Sequence, residues 1–192
     1  VGPDGIPYSA WAASGFEGAH TLLQISDWMA TGLPPPLSFC DSLLVCPPKP
    51  GALETERGIA PTPAETRPLA LRNTDAKTIG KAVAHAMSPF QRACIHESAR
   101  GFVGGRQLQR NAVDLDCWAR WAGMHEWGRR AILVFLDFAA AFPSGSHEFL
   151  IDLFAALGLP DGLLQFIRIL YVRNRCNISV AGCRFVGFTQ TA

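Results

Sequence analysis

Lysine is scarce in this chain of 192 residues: of its 17 basic residues only Lys49, Lys77 and Lys81 are lysines. The rest are arginines, whose planar forks suit phosphate and stack on bases, although solvated arginine from a biased coding sequence is the plainer alternative. A membrane-length apolar run is missing as well. The most apolar stretch, Ala131 to Phe142, has 12 residues and carries Asp137, whereas a span needs about 20. The first residues show no initiator Met and no basic or apolar leader, so nothing in them points to secretion. Cysteine is sparse: six residues (40, 46, 94, 117, 176 and 183), without a CxxC, do not make a disulfide scaffold. Reduced, partly buried thiols are expected, with zinc at Cys94 and His96, or at Cys176 and Cys183, as the alternative.

An excess of charge of one sign is lacking too. The net charge is +1, with 17% charged and 48% hydrophobic residues, which excludes a disordered or acidic-tail protein. The length suits one ordinary domain or the larger part of one, burying about 70% of its unfolded surface. The near-neutral total hides an asymmetry. Residues 1–66 set two cations against seven acids, net −5; residues 67–130 set eleven against five, net +6; residues 131–192 balance four against four. The middle third is therefore expected to carry a positive face.

Along the chain, Leu22, Ile25, Trp28 and Met29 recur at helical spacing over 18–31, with Gly32 as a stop. Ser42 to Cys46 reads as a short buried strand, and Gly51 to Pro63 as an exposed loop. Ile79, Val83, Ala86 and Met87 predict a helix ending near Pro89, and Leu108, Ala112, Leu115, Trp118 and Ala122 predict another over 107–122. Ala131 to Phe138 is expected to be a strand, apolar on both faces until Asp137. His147 to Leu157 is expected to be a helix stopped by Gly158. Pro160 and Asp161 open a further helix with an apolar face of Leu163, Leu164, Ile167, Leu170 and Tyr171, leaving Arg168 outside. Asn177 to Val180 and Arg184 to Phe188 read as a hairpin.

Asp137 is the sharpest candidate. A carboxylate closing a buried strand is costly unless it is paired, hydrogen-bonded or coordinated. It either caps the turn Ala139 to Ser144 or helps to hold Mg2+, which favours one or two carboxylates plus substrate phosphates.

The order Asp137-Phe138-Ala139-Ala140-Ala141-Phe142, with His147 beyond it, resembles the DFxxAF motif of reverse transcriptases of the non-LTR retrotransposon and group II intron type. Five further blocks follow the same family's order. Gly2-Pro3-Asp4-Gly5-Ile6-Pro7 is similar to its GPDGIP opening, and Leu44 to Lys49 to the strand before its fingers loop, with the pair Pro48-Lys49. Arg67-Pro68-Leu69-Ala70-Leu71 with Asn73, Lys77 and Lys81 resembles its RPISLLN…K block. Gly101 to Arg106 with Asn111 resembles GFxxGR, and Leu157 to Pro160 with Leu170-Tyr171 fall at its spacing.

The resemblance implies an α+β chain with a partial right-hand polymerase fold: fingers and an incomplete palm, with helices packed on short, mostly antiparallel strands. Residues 1–130 would be fingers-like and 131–192 a partial palm carrying the first metal-binding Asp. The implied activity is RNA-directed DNA polymerisation with two Mg2+ ions, an RNA template, a DNA primer and deoxynucleoside triphosphates, inside the cell and off the membrane. Asp137 would bind metal, and Phe142 would exclude a ribose 2′-hydroxyl unless it is an ordinary core aromatic. The backbone at Ala140 and Ala141 would lie against the triphosphate. Arg67 and Lys77 would approach triphosphate or template, and Arg106 would contact template or support the fingers.

Three departures accompany the likeness. Pro143 stands where the family has Asp, and Ala99 where it often has Gln. The family's YxDD hairpin, which follows a GxxQGxPLSP loop, has no counterpart, since no two aspartates adjoin and Asp114 and Asp116 would point to different faces of a helix. The expectation is a portion of the polymerase that does not polymerise alone. A non-catalytic nucleic-acid-binding remnant is the alternative.

Overall fold

The computed structural model describes residues 1–50, 54–55, 58–59, 62–138, 144–171, 174–180 and 182–190. In chain order the elements are α1 (Tyr8–Ala13), α2 (Gly15–Ala30), β1 (Ser42–Val45), β2 (Glu54–Thr55), β3 (Gly58–Ile59), β4 (Leu69–Arg72) and α3 (Thr74–Ala86). There follow α4 (Ser88–Cys94), α5 (Gln109–Gly123), α6 (His147–Ala156), α7 (Asp161–Tyr171), β5 (Asn174–Val180) and β6 (Cys183–Gln190). The described residues thus form a mixed α+β chain. Its packing separates two compact units, Val1–Gly80 with Ser144–Ala192, and Lys81–Pro143.

The first unit is built on a four-stranded mixed sheet in the order β4-β1-β5-β6. β1 runs antiparallel to β4 and parallel to β5, and β5 and β6 form the hairpin expected from their turn residues. Helices α2 and α7 pack together, burying Leu22 and Met29 from one and Leu164, Phe166 and Ile169 from the other. Full burial of a side chain the size of Met29 or Phe166 contributes about 1.5–3 kcal/mol. The α7 face is turned from the expected one, because Phe166 and Ile169 are buried while Leu163, Ile167 and Leu170 are only half-buried. Arg168 is exposed.

Local chemistry explains the ends of α6. The Ser146 hydroxyl oxygen accepts from the Phe149 N–H at 3.2 Å and caps its start. At its end Gly158 adopts φ +79°. The Gly158 N–H donates to Ala155 at 3.0 Å and the Leu159 N–H to Phe154 at 3.1 Å, the paired bonds that satisfy a helix C-terminus.

Polar groups knit the first unit where no apolar pattern pointed. Asn73 and Thr74, between β4 and α3, are buried. The Asn73 side-chain oxygen accepts from the Asp4 N–H at 3.2 Å, and its amide donates to the Ser38 carbonyl at 3.0 Å. The Thr74 hydroxyl donates to the Ile6 carbonyl at 2.8 Å and accepts from the Trp11 indole at 3.1 Å. Gly2 lies so close to the Asn73 backbone that a Cβ there would collide with it. Asp41 closes the neighbouring edge, accepting from Arg175 Nε at 2.9 Å and from a terminal guanidinium nitrogen at 2.8 Å. That pairing raises the Arg175 pKa further and keeps it cationic.

Several sequence expectations need correction. The segment 131–138 joins no ladder among the described residues, and all eight of its side chains are exposed. An extended segment becomes a strand only when a neighbour takes its N–H and C=O groups. No residue of α5 is buried, so its apolar stripe lies open, with Trp118 65% exposed and Leu108, just before the helix, 61%. Pro89 stands in the first turn of α4, where its missing N–H costs nothing, and so opens a helix after the break that it enforces. Within the loop expected over 51–63, β2 and β3 pair as a two-residue ladder, and Pro63–Glu65 is a 3-10 turn under a reciprocal cap between Thr62 and Glu65. No two cysteines are joined, and Cys40 and Cys176 are buried. Burial pushes the Cys40 thiol above its ordinary range.

Two stability measurements follow from the Asn73–Thr74 junction. Thr74→Val leaves the Ile6 carbonyl and the Trp11 indole unpaired and is expected to cost about 1–3 kcal/mol in urea unfolding, with Thr74→Ser recovering most of it. Asp75, in the first turn of α3, has its pKa raised first by burial, with Asp4 adding to the rise. A carboxyl raised in the folded state stabilises below its unfolded pKa, and that stability is lost as pH rises through the folded value. Asp75→Asn, which keeps an acceptor for the Ala76 N–H, should therefore raise Tm at about pH 7 and lose that advantage near pH 3.

Candidate functional site

Asp137 lies in the second unit, exposed, in the irregular stretch 131–138. The cost of burial that made it notable in the sequence is absent, and it forms no ion pair with a described residue. Among the described residues no three His, Cys, Asp or Glu side chains come together. One exposed carboxylate is too small a donor set for two divalent ions, so the described residues alone do not fit a two-ion centre. The zinc alternative at Cys94 and His96, or at Cys176 and Cys183, lacks a donor cluster for the same reason. Ala140, Ala141, Phe142 and Pro143 lie outside the described residues.

Arg67 and Lys77 belong to the first unit. Arg67 is exposed, and its backbone N–H donates to the Pro47 carbonyl at 2.9 Å. Opposite it the isolated bridge Pro48–Thr66 extends the β1–β4 pairing. Lys49 is spent there, its ammonium donating to the Ala64 carbonyl at 2.7 Å. Glu65 accepts from the Thr62 backbone and hydroxyl, which hold its pKa low. Lys77 is half-buried on α3 and Lys81 is exposed.

Arg106 is committed to backbone carbonyls. One terminal nitrogen donates to the His96 and Ala99 carbonyls at 2.6 and 2.9 Å, and the other to Arg92 and Ile95 at 3.3 and 2.8 Å. Those carbonyls lie at and beyond the end of α4, where helical donors run out, and a guanidinium fork suits them. Arg100 is similarly engaged. It donates to the Asn111 side-chain oxygen at 2.9 Å and pairs with Asp114, both on α5. Asp116 pairs instead with Arg120, four residues on. Asp114 and Asp116 therefore serve separate cations, as their helical spacing requires.

Composition alone did not locate the aromatic cluster of the second unit. Trp121 meets Trp118 edge-on at 5.6 Å, His125 at 4.9 Å and Trp127 at 5.2 Å. A groove of about 430 Å3 runs past Leu115, Trp118, Trp121, Trp127 and Ile132. Its signal in the sequence was the three tryptophans within ten positions.

No helix among the described residues is long and apolar enough to cross a membrane. No protein-family model matches the chain.

The Arg106 clasp is open to direct measurement. Lysine reaches with one point charge where arginine offers a fork, so Arg106→Lys should destabilise the α4–α5 region by about 2 kcal/mol. Hydrogen exchange should show lost protection across residues 92–99, with the β1–β5 ladder unchanged.

Proposed function

We propose that the chain is the fingers and first part of the palm of an RNA-directed DNA polymerase of the retroelement type. The complete enzyme would use Mg2+, an RNA template, a DNA primer and deoxynucleoside triphosphates. The observation that carries this reading is the meeting of three sequence blocks in the first unit. The Gly2–Pro7 turn docks on Asn73 and Thr74 through Asp4 and Ile6. The strand before Pro48-Lys49 pairs with the strand after Arg67-Pro68. Chance matches have no reason to pack on one another through their own motif residues. Two-ion transfer needs more carboxylates than Asp137, so nucleotidyl transfer belongs to the whole enzyme and this chain contributes one ligand.

The exposed Asp137, in no group of three or more metal-ligating side chains among the described residues, favours a second reading: a nucleic-acid-binding remnant without catalysis. Primer extension on an RNA template by the reading frame that contains this chain separates the two. Under the first reading the frame extends the primer, and Asp137→Ala lowers the rate on the order of a thousandfold, the scale of losing several kcal/mol of metal stabilisation. Unchanged extension in the variant overturns the role of Asp137. Salt-sensitive RNA binding without extension, indifferent to Asp137→Asn, supports the remnant.

A further inference from the structure

Residues 131–138 carry backbone groups and side chains that the packing of the second unit does not use. Among the described residues no backbone hydrogen bond involves positions 132–138. Ile132, Val134, Phe135, Leu136 and Phe138 are each at least 66% exposed, and Leu133 is 56% exposed. A single exposed apolar residue is ordinary, whereas six within seven positions form a patch of the kind that marks an interaction surface. The run is rich in β-branched and aromatic residues and holds no Pro or Gly, a composition that favours extended pairing. Ala131 already enters it extended, at φ −72° and ψ 138°.

Two observations say what covers this patch. The first is the order of charge. Arg130 stands exposed at the start of the run and Asp137 stands exposed near its end, with no charged residue between them. Two copies paired parallel and in register would set Asp137 against Asp137, whereas an antiparallel pair brings each carboxylate near the other copy's guanidinium. The run is therefore complementary to itself in one direction only. The second observation is the groove of about 430 Å3 beside it, lined by Ala131, Ile132 and Leu133 together with Trp118, Trp121 and Trp127. The groove adjoins the first half of the run, and antiparallel pairing carries the second half of a copy past it.

We propose that 131–138 is the seam of a homodimer, pairing antiparallel with the same segment of a second copy about a two-fold axis at Val134. In that register Ala131 faces the partner's Asp137, Ile132 the partner's Leu136 and Leu133 the partner's Phe135. Asp137 then lies next to the partner's Arg130, and the partner's Leu136 and Phe138 cover the tryptophan groove. The unused N–H and C=O groups along the seam find acceptors and donors. The contact closes on itself, because each copy offers the same patch. The inference goes beyond the polymerase reading and does not rest on it.

The test is sedimentation equilibrium of the whole 192-residue chain over roughly 1 to 100 µM. A monomer–dimer equilibrium is expected. Val134→Lys sets lysine against lysine on the axis and should weaken the dimer about a hundredfold, with circular dichroism unchanged because Val134 is exposed. Asp137→Arg and Arg130→Glu should each weaken self-association about tenfold by opposing like charges. Mixed in equal amounts, these two variants should dimerise with each other as tightly as the parent chain, since both ends of the mixed seam regain opposite charges. A contact elsewhere on the surface would not produce that exchange. A monomer at every concentration overturns the proposal in favour of a different partner. A dimer indifferent to Val134→Lys overturns it as well, and so does a mixture that associates no better than its components. Species beyond the dimer that grow with concentration overturn the closed pair in favour of open stacking.

Discussion

Two adjacent buried polar side chains, Asn73 and Thr74, set the terms for the first unit. A buried amide and hydroxyl are tolerated only when their hydrogen bonds are made, and here the partners come from three separate stretches of chain. The Asp4 N–H and Ile6 carbonyl bring in the N-terminal turn, the Ser38 carbonyl brings in the segment before β1, and the Trp11 indole brings in α1. Satisfying the pair therefore fixes where β4 ends, where α3 begins and how the first fourteen residues lie on them. Gly2 follows from the same constraint, since any larger residue would strike the Asn73 backbone. The Asp41–Arg175 fork then ties the segment before β1 to β5 and completes the connection to the C-terminal hairpin.

Among its described residues the second unit buries one apolar side chain, Val103, and cations supply much of what holds it. Arg106 collects the loose carbonyls beyond α4, and Arg100 ties the same loop to Asn111 and Asp114 on α5. The apolar residues of α5 are left outside, where Trp121 packs edge-on against Trp118 and against Trp127 beyond the helix. The scarcity of lysine has a structural meaning at these places. An ammonium offers no planar fork, and Arg106 engages two acceptors with each of its two terminal nitrogens.

Helix ends and hairpins were the legible part of the fold. Gly158 and the β5–β6 turn act close along the chain, so spacing alone exposes them, whereas the Ser146 cap was found only in the structure. The strand expected at 131–138 and the buried stripe of α5 were misread for one reason: apolarity records a capacity for burial and does not name the partner. Pro89 was read as a stop because its effect on the preceding turn is visible in sequence, while its fitness for the next first turn depends on a helix following at once. Of the candidate site, Arg67, Lys77 and Arg106 were legible as cations. That Arg106 faces carbonyls depended on where α4 ended, which residue type does not reveal.

The sequence by itself determined the α+β class, the glycine stop of α6, the hairpin and the separation of charge between the acidic first third and the basic middle. These depend on composition and on contacts close along the chain, which obey fixed periods. Tertiary structure alone decided that Asn73 reaches back across 69 residues to Asp4, that Asp137 stands in solvent, and that Arg106 is held by four backbone carbonyls. Each of these turns on which groups meet after the chain has folded. A buried polar group or a cation takes its role from its neighbours, and those neighbours are distant in sequence.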